Sequence, residues 1–321
     1  MKIFEEQEIR QFIHVNEQAI KVVEEGFSAL TKGIVTLPPI MRIDIPENNG
    51  EIDVKTAYIK GLDSFAIKIS SGFFNNASLG LPSLSGMMLL LSSQTGLAKS
   101  ILLDNGYLTD VRTAIAGAIA SKYLAKKQVE QVGIIGTGTQ ARYQLEALSL
   151  VREFSTVIIF GRNDLSARRY AKEMETQLGK PMIIAESIEE VVKTSDIVVT
   201  TTPSTQPLIK AEWLHPGLHI TAMGSDAEHK QELDANIFEQ TDVIVCDVKT
   251  QCFRLGELHH AKSKEIITDD SPIIELGDLT AGFKKGRENQ KQITVCDLTG
   301  TGVQDTVIAR FAFEQLTNKD K

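Results

Sequence analysis

The sequence is poor in cysteine, in tryptophan, in long apolar runs and in positive charge. Its three cysteines, Cys246, Cys252 and Cys296, form no C-x-x-C pair, and their number is odd. A disulfide framework or a cysteine zinc site is therefore not expected, and a reducing compartment fits best. The single tryptophan, Trp213, reads as packing. The longest apolar stretch, "GMMLLLSS", is too short to cross a bilayer. The opening "MKIFEEQEIRQF" is too acidic and too weakly apolar for a secretory signal, so the expected location is the cytoplasm, with no membrane partner. Acids outnumber bases, 42 to 34, giving a net charge of −8. No Lys/Arg stripe interleaved with aromatics is present, which argues against nucleic acid as a partner. His259 and His260 lack a second ligand pair at a metal spacing, so no metal site is expected.

What is present is an ordinary globular composition, 42% hydrophobic and 24% charged over 321 residues, enough for one large domain or two ordinary ones. Apolar residues recur at helical spacing from Glu5 to Lys32. Between Ile34 and Leu103, short runs such as "FAIKISSG" and "GMMLLLSS" alternate with Gly, Asn and Ser clusters, a strand-rich pattern. "LTDVRTAIAGAIASKYLA", Leu108 to Ala125, predicts a closely packed buried helix capped by Thr109 or Asp110. After Lys126 strands alternate with helical patterns, which predicts a parallel doubly wound sheet. A last strand, "QITVCDLTGTG", and a last helix, "VQDTVIARFAFEQL", follow. The expected fold is α/β: a Rossmann-type parallel sheet over residues 126–302, plus a strand-rich α+β domain over residues 1–125 that the helix 303–321 completes.

"VGIIGTGTQA" places Gly136-Thr137-Gly138 and Ala141 in a G-x-G-x-x-A pattern that follows an apolar strand and opens a helix. In that setting the first glycine permits the tight turn, the second lets backbone approach a pyrophosphate, and Ala141 allows helix–strand packing. The next strand ends in "FGRN", with Arg162 where an acid would select NAD, so NADP(H) is expected ahead of NAD(H). Thr200 and Thr201 end a later strand, at the edge where a cofactor lies in such sheets. Thr299 and Gly300, in the last Gly-rich turn, are candidates to approach a nicotinamide.

Three cations stand in apolar or turn-rich settings: Arg42 in "PPIMRIDIP", Lys68 in "FAIKIS" and Arg112 in "LTDVRTAIAG". Each is singly more consistent with a structural pair, but converging they would bind a small carboxylate. Asp226, in "AMGSDAEHK", stands after a strand and before an expected helix. It reads as an N-cap or as a proton-handling group, and Gly224 would allow backbone to approach a nicotinamide ring.

"PPIMR", "FAIKIS", "GLPSLSG", "DNGYLTDVRTAIAGAIAS", "VGIIGTGTQA", "AMGSD" and "VCDLTGTG", in this order, resemble the ornithine cyclodeaminase/mu-crystallin family over nearly the whole chain. The resemblance implies a substrate domain that dimerises and a Rossmann domain. It assigns substrate-carboxylate binding to Arg42, Lys68 and Arg112, with Ser83 beside the substrate ring. It assigns cofactor contacts to Thr109, Gly138, Thr139, Gln140, Arg162 and Ala222-Met223-Gly224, and catalysis to Asp226 with Lys68. The wording is nearest Δ1-pyrroline-2-carboxylate reductases of hydroxyproline catabolism and the ectoine-utilisation members. The expected activity is NAD(P)H-dependent reduction of Δ1-pyrroline-2-carboxylate to L-proline by a homodimer. The alternatives are an ornithine cyclodeaminase, an alanine dehydrogenase, a diaminobutyrate-processing enzyme, or a low-turnover NADPH-binding protein of crystallin type.

Overall fold

The computed structural model describes residues 1–318, apart from the side chain of Ala77, so the last three residues of the expected helix 303–321 lie outside the described residues. In chain order the strands are β1 (Lys2–Glu5), β2 (Val35–Thr36), β3 (Met41–Ile45), β4 (Gly50–Ile59), β5 (Ser64–Phe73), β6 (Leu84–Ser92), β7 (Ala98–Leu103), β8 (Gln131–Ile135), β9 (Thr156–Phe160), β10 (Met182–Ile184), β11 (Ile197–Thr200), β12 (Thr205–Ile209), β13 (His219–Ala222), β14 (Gln231–Leu233), β15 (Val243–Cys246), β16 (Ile274–Glu275) and β17 (Thr294–Asp297). The α-helices are α1 (Glu6–Phe12), α2 (Glu17–Thr31), α3 (Tyr107–Leu124), α4 (Thr139–Ser149), α5 (Asp164–Leu178), α6 (Ile188–Thr194), α7 (Lys249–Leu255), α8 (Glu257–Ser263), α9 (Leu276–Thr280) and α10 (Gly302–Asn318). Two compact units result: residues 1–113 with the chain from Thr301, and residues 114–300. The change from one to the other falls inside α3, between Thr113 and Ala114.

The first unit is a seven-stranded sheet ordered β1-β7-β6-β5-β4-β2, with β3 also on β4. All its pairs are antiparallel except β1 with β7. The helical spacing over Glu5–Lys32 is realised as two helices after β1, and Asn16 starts the second: its side chain accepts the Ala19 N–H at 2.9 Å. Residues facing one another across β4, β5 and β6 share a face. On one face lie Ala57, Ala66, Lys68, Met88 and Leu90, all buried, under α10. The helix is fastened there by Thr306, whose hydroxyl donates to Ala57 O (2.8 Å) and accepts Ala66 N–H (3.1 Å). The opposite face exposes Ile3, Met41, Ile43, Tyr58, Ile69 and Met87.

The second unit is an all-parallel eight-stranded sheet ordered β10-β9-β8-β11-β13-β17-β15-β16. Its first five places follow the classic doubly wound order, with the reversal between β8 and β11. The last strand, β17, takes the sixth place. Both faces are covered, so the strands are mostly apolar. Val132, Ile134, Val157, Ile159, Ile197 and Val199 pack on one side, and Ile135, Ile158, Val198, Ile220, Ile244 and Val295 on the other. Helix boundaries follow local chemistry. Asn163 caps α5, which Gly179 ends at φ 65°, and Ser187 caps α6. The start of α3 corrects the sequence expectation: Asp104, not Thr109 or Asp110, accepts the Leu108 N–H at 2.8 Å. Among the described residues, no helix is long and apolar enough to cross a membrane.

Gly302 opens α10 where a Cβ would stand 2.2 Å from Thr56 O. Gly302→Ala must push α10 off the sheet and is expected to destabilise the protein by about 2 kcal/mol, read from the urea midpoint. An unchanged midpoint would show that α10 seats without that close approach.

Candidate active site

In the second unit, a cavity of about 460 Å³ lies at the sheet's switch point. Its walls come from three strand ends: Gly136, Thr137 and Gly138 after β8, Gly161 and Arg162 after β9, and Thr201 after β11. Gly136 adopts φ 112°, and a Cβ there would meet Thr201 Oγ1 at 2.5 Å, so the turn needs glycine. Gly138 differs: nothing lies within 4 Å of where its Cβ would be. It is also the N-cap of α4 with no side-chain cap, so the helix presents its positive end beside a backbone that a ligand can approach. Arg142 braces the turn by donating to Thr137 O at 2.8 Å and Gly138 O at 3.0 Å. Arg168 and Arg169 are tied to Asp164 and Glu173, both at 2.8 Å. Arg162 lines the cavity, and among the described residues no acid stands within ion-pair distance of it. A glycine turn, a helix N-terminus and an unmatched arginine are the donor set that a dinucleotide's phosphates require. Thr139 and Gln140 occupy the first turn of α4.

A buried carboxylate organises the neighbouring strand ends. Glu232 of β14 accepts from Thr200 Oγ1 (2.6 Å), Thr202 N–H (2.6 Å) and Gly224 N–H (2.8 Å). This relocates two expected contacts. Thr200 turns its hydroxyl to Glu232, while Thr201 lines the cavity. Gly224 is required because a Cβ would stand 2.1 Å from Thr202 O and 2.6 Å from the Glu232 carboxyl carbon, so its close approach is to protein. Ala222 ends β13, and Met223 N–H continues the ladder to Thr200 O at 3.2 Å. Asp226 follows in an irregular segment between bends at Gly224 and Ala227, about half exposed, with Lys230 Nζ at 2.6 Å from Oδ1. No helix follows it; the next element is β14, which removes the N-cap reading.

Further along the same strand ends, Glu257 accepts the Glu232 N–H at 2.7 Å, and Asp297 accepts the Leu258 N–H at 3.0 Å. Burial first, then the Asp247 charge, pushes the Asp297 carboxyl up to about 7. Thr299 is buried and bound to Asp247 through both its N–H (2.9 Å) and its hydroxyl (3.1 Å).

The first unit brings two of the three predicted cations together. Lys68 Nζ lies 3.2 Å from Asp305 Oδ2, and Arg112 Nε lies 3.0 Å from Asp305 Oδ1. These are charge contacts rather than directional hydrogen bonds, since neither Asp305 oxygen has a hydrogen-bonding partner among the described residues. Lys55 stands opposite Lys68 in the β4–β5 register. Among the described residues, the buried charges of this unit are three cations, Lys55, Lys68 and Arg112, and two acids, Asp104 and Asp305. Burial, then Arg112, draws the Lys68 ammonium down to about 7 against the opposing pull of Asp305. Burial also raises Asp104, to about 6. Arg42 does not join this cluster. It faces Asp53 on the edge strand and pairs with Asp44 (2.8 Å), Asp53 (3.9 Å) and Glu51. Ser83 precedes β6, its carbonyl accepting the Phe73 N–H at 2.7 Å, and Thr109 is half-buried in the first turn of α3.

Five buried carboxylates, Asp104, Glu232, Asp247, Glu257 and Asp305, escaped the sequence reading. Asp305 had a usable signal, an acid inside the apolar spacing of "VQDTVIA". Asp104 and Glu232 sit in polar runs where nothing marks them as buried.

Residues 2–320 match the ornithine cyclodeaminase/mu-crystallin family. An uncharacterised cyclodeaminase of Sinorhizobium fredii is 50% identical, with 98% of this chain and 96% of that protein covered. The structure of Thermococcus litoralis Δ1-pyrroline-2-carboxylate reductase in complex with NADH and L-proline superposes with a TM-score of 0.94 at 30% identity, over 100% of this chain and 98% of that one. An archaeal alanine dehydrogenase dimer with bound NAD superposes with a TM-score of 0.92 at 33% identity, over 99% and 97%.

Asp305→Asn leaves Lys68 and Arg112 buried without their shared counter-charge and should cost about 3–5 kcal/mol in urea unfolding. Adding Lys68→Met should recover much of that loss; no recovery would place the damage in packing rather than charge. The raised Asp297 carboxyl gives a second test. Its folded form keeps a proton that the unfolded chain releases at the ordinary value of 3.8, so this group's contribution is lost as pH rises from about 4 through 7. Asp297→Asn should flatten the fall of the urea midpoint over that window, and an unaltered slope would assign it to other groups.

Proposed function

The chain belongs to the ornithine cyclodeaminase/mu-crystallin family, and from that premise we propose that it is an NAD(P)H-dependent reductase of a small cyclic imino acid, converting Δ1-pyrroline-2-carboxylate to L-proline. The observation that carries this reading is that two buried cations, Lys68 and Arg112, converge on the single carboxylate of Asp305. Two desolvated cations sharing one counter-charge favour a small carboxylate, and arginine supplies a planar fork for it. Arg112 and Lys68 hold the carboxylate and fix the ring's orientation, which accounts for much of the rate in such a reaction. Arg42 stands on the same sheet face as Lys55 and Lys68 and is paired with Asp44 and Glu51, so a carboxylate that it also gripped would have to displace one of these acids.

The residues of the second unit would hold the cofactor. Gly136 and Gly138 give backbone access, the α4 N-terminus faces the pyrophosphate, and Arg162 takes the ribose end. When bound, the dinucleotide supplies the hydride. Arg162, facing the cavity without an acid, favours the 2′-phosphate of NADPH over NADH. Asp226 is the group that holds or delivers the proton for the imine nitrogen. Its partial exposure lets it exchange protons with water, and Lys230 Nζ, 2.6 Å from its Oδ1, holds the carboxyl in place. The exposed apolar face of the first unit, with Ile3, Met41, Ile43, Ile69 and Met87, supports a homodimer that covers it.

Purified protein incubated with Δ1-pyrroline-2-carboxylate and NADPH should consume the cofactor and form L-proline, while L-ornithine with NAD should release no ammonia. Ammonia release with no reductase activity would select the cyclodeaminase reading instead. Asp226→Asn should lower kcat by about 10²-fold or more with cofactor affinity unchanged. Arg162→Ala should raise KM for NADPH more than for NADH; equal effects would remove Arg162 from the ribose end.

A further inference from the structure

A second cavity of the 114–300 unit, about 640 Å³, shares no wall residue with the one at Gly136. Six cations line it, Lys122, Lys127, Arg152, Lys284, Lys285 and Arg287, against a single carboxylate, Glu288. That is a local reversal of sign in a chain of net charge −8. Its size lies within the range of small-ligand sites.

The arrangement is built into the fold rather than left to mobile surface side chains. Arg287 donates from Nε to Leu124 O at 2.6 Å and from Nη2 to Leu218 O at 3.0 Å and Thr294 Oγ1 at 3.1 Å, with Nη1 on Gln292 O. Arg152 donates from Nη1 to Val151 O at 2.8 Å and from Nη2 to Lys122 O. All these acceptors are uncharged. They fix both guanidinium groups in place, while Asp242 and Asp196 act on Arg287 from outside the cavity wall. Burial lowers Arg287 to about 10, which leaves it cationic at neutral pH. Lys285 has Glu288 at 3.5 Å. Among the described residues, Lys127 and Lys284 have no acid within ion-pair distance. Gly286 presses the 284–288 loop onto the end of α3, where a Cβ would stand 2.4 Å from Tyr123 O. That contact sets Lys284 and Lys285 on the same wall as Lys122 and Lys127.

We infer that this cavity is a binding site for a multivalent phosphate anion, from a linear triphosphate to a nucleoside triphosphate in size. Lys127, Lys284 and the fixed Arg152, lined up on one cavity with a single wall carboxylate, present more charge than one monovalent anion would offset. Fixed guanidinium groups beside lysines suit an extended phosphate chain. The reduction proposed above makes no use of the site, so a ligand there would be an effector or a second substrate.

The test is isothermal titration of the full chain at 0.15 M salt with inorganic tripolyphosphate and, separately, with ATP. It is run on wild type, on the triple variant Lys127→Glu/Lys284→Glu/Lys285→Glu and on Arg162→Ala. Tripolyphosphate should bind saturably at one site per chain. The triple variant should weaken it at least tenfold, and Arg162→Ala should leave it within twofold. If the ATP binding that the triple variant removes is no tighter than that of tripolyphosphate, the phosphate chain is the whole determinant. If it is tighter, the ligand is a nucleotide. The inference is overturned if tripolyphosphate shows no saturable binding, or if the triple variant binds it as tightly as wild type.

Discussion

Everything in the first unit is arranged around one electrostatic problem. Lys68 and Arg112 are buried to 2% and 5% exposure, and buried cations persist only with a counter-charge close by. Asp305, wholly buried, lies between them. It comes from α10, almost two hundred residues after Arg112. This explains why the chain must leave the first unit, build the second and return. Thr306, the next residue, locks the same helix turn onto the backbones of β4 and β5. One turn of one helix thus supplies both the counter-charge and the fastening, and the geometry of the Lys68–Arg112 cluster depends on its seating.

The second unit solves a complementary problem with acids. Three strand-end loops must be held at fixed positions over a parallel sheet whose strands are mostly apolar. Glu232 gathers the ends of β11 and β13, and Asp247 gathers the Thr299–Gly300 turn after β17 through two backbone N–H groups at 2.9 and 2.6 Å. Each buried carboxylate uses backbone donors that would otherwise be unpaired, and hydrogen bonds to a charged group are the stronger kind. The loop bearing Asp226 is therefore anchored at both ends, at Gly224 and at Glu232, while its middle stays accessible to water.

Much of this was legible in the sequence, and the reasons are physical. The βα alternation after Lys126 and the Gly136–Gly138 turn are local patterns, so they predict the parallel sheet and its switch-point cavity directly. Lys68 and Arg112 stood out because a cation in an apolar run demands a partner. The partner itself was not legible, because Asp305 is distant in sequence and only the packed helix brings it near. Arg42 differs: three acids on β3 and β4 answer it locally, so its partners lie close in sequence. Asp226 misled as a cap, since a polar run after a strand suits a bend as well as a helix start. Glu232 was invisible because burial, not residue type, gives it its role.

The central claim is that Lys68 is a desolvated cation poised for a carboxylate. Its titration can be followed directly by NMR of the Nζ-coupled side-chain signals, with Lys68→Met to assign them. In the free protein Lys68 should titrate near 7, well below the ordinary lysine value of 10.5. Saturating L-proline should move that midpoint upward, because a bound carboxylate stabilises the charged ammonium. A midpoint near 10.5 in the free protein, unmoved by L-proline, would contradict the account.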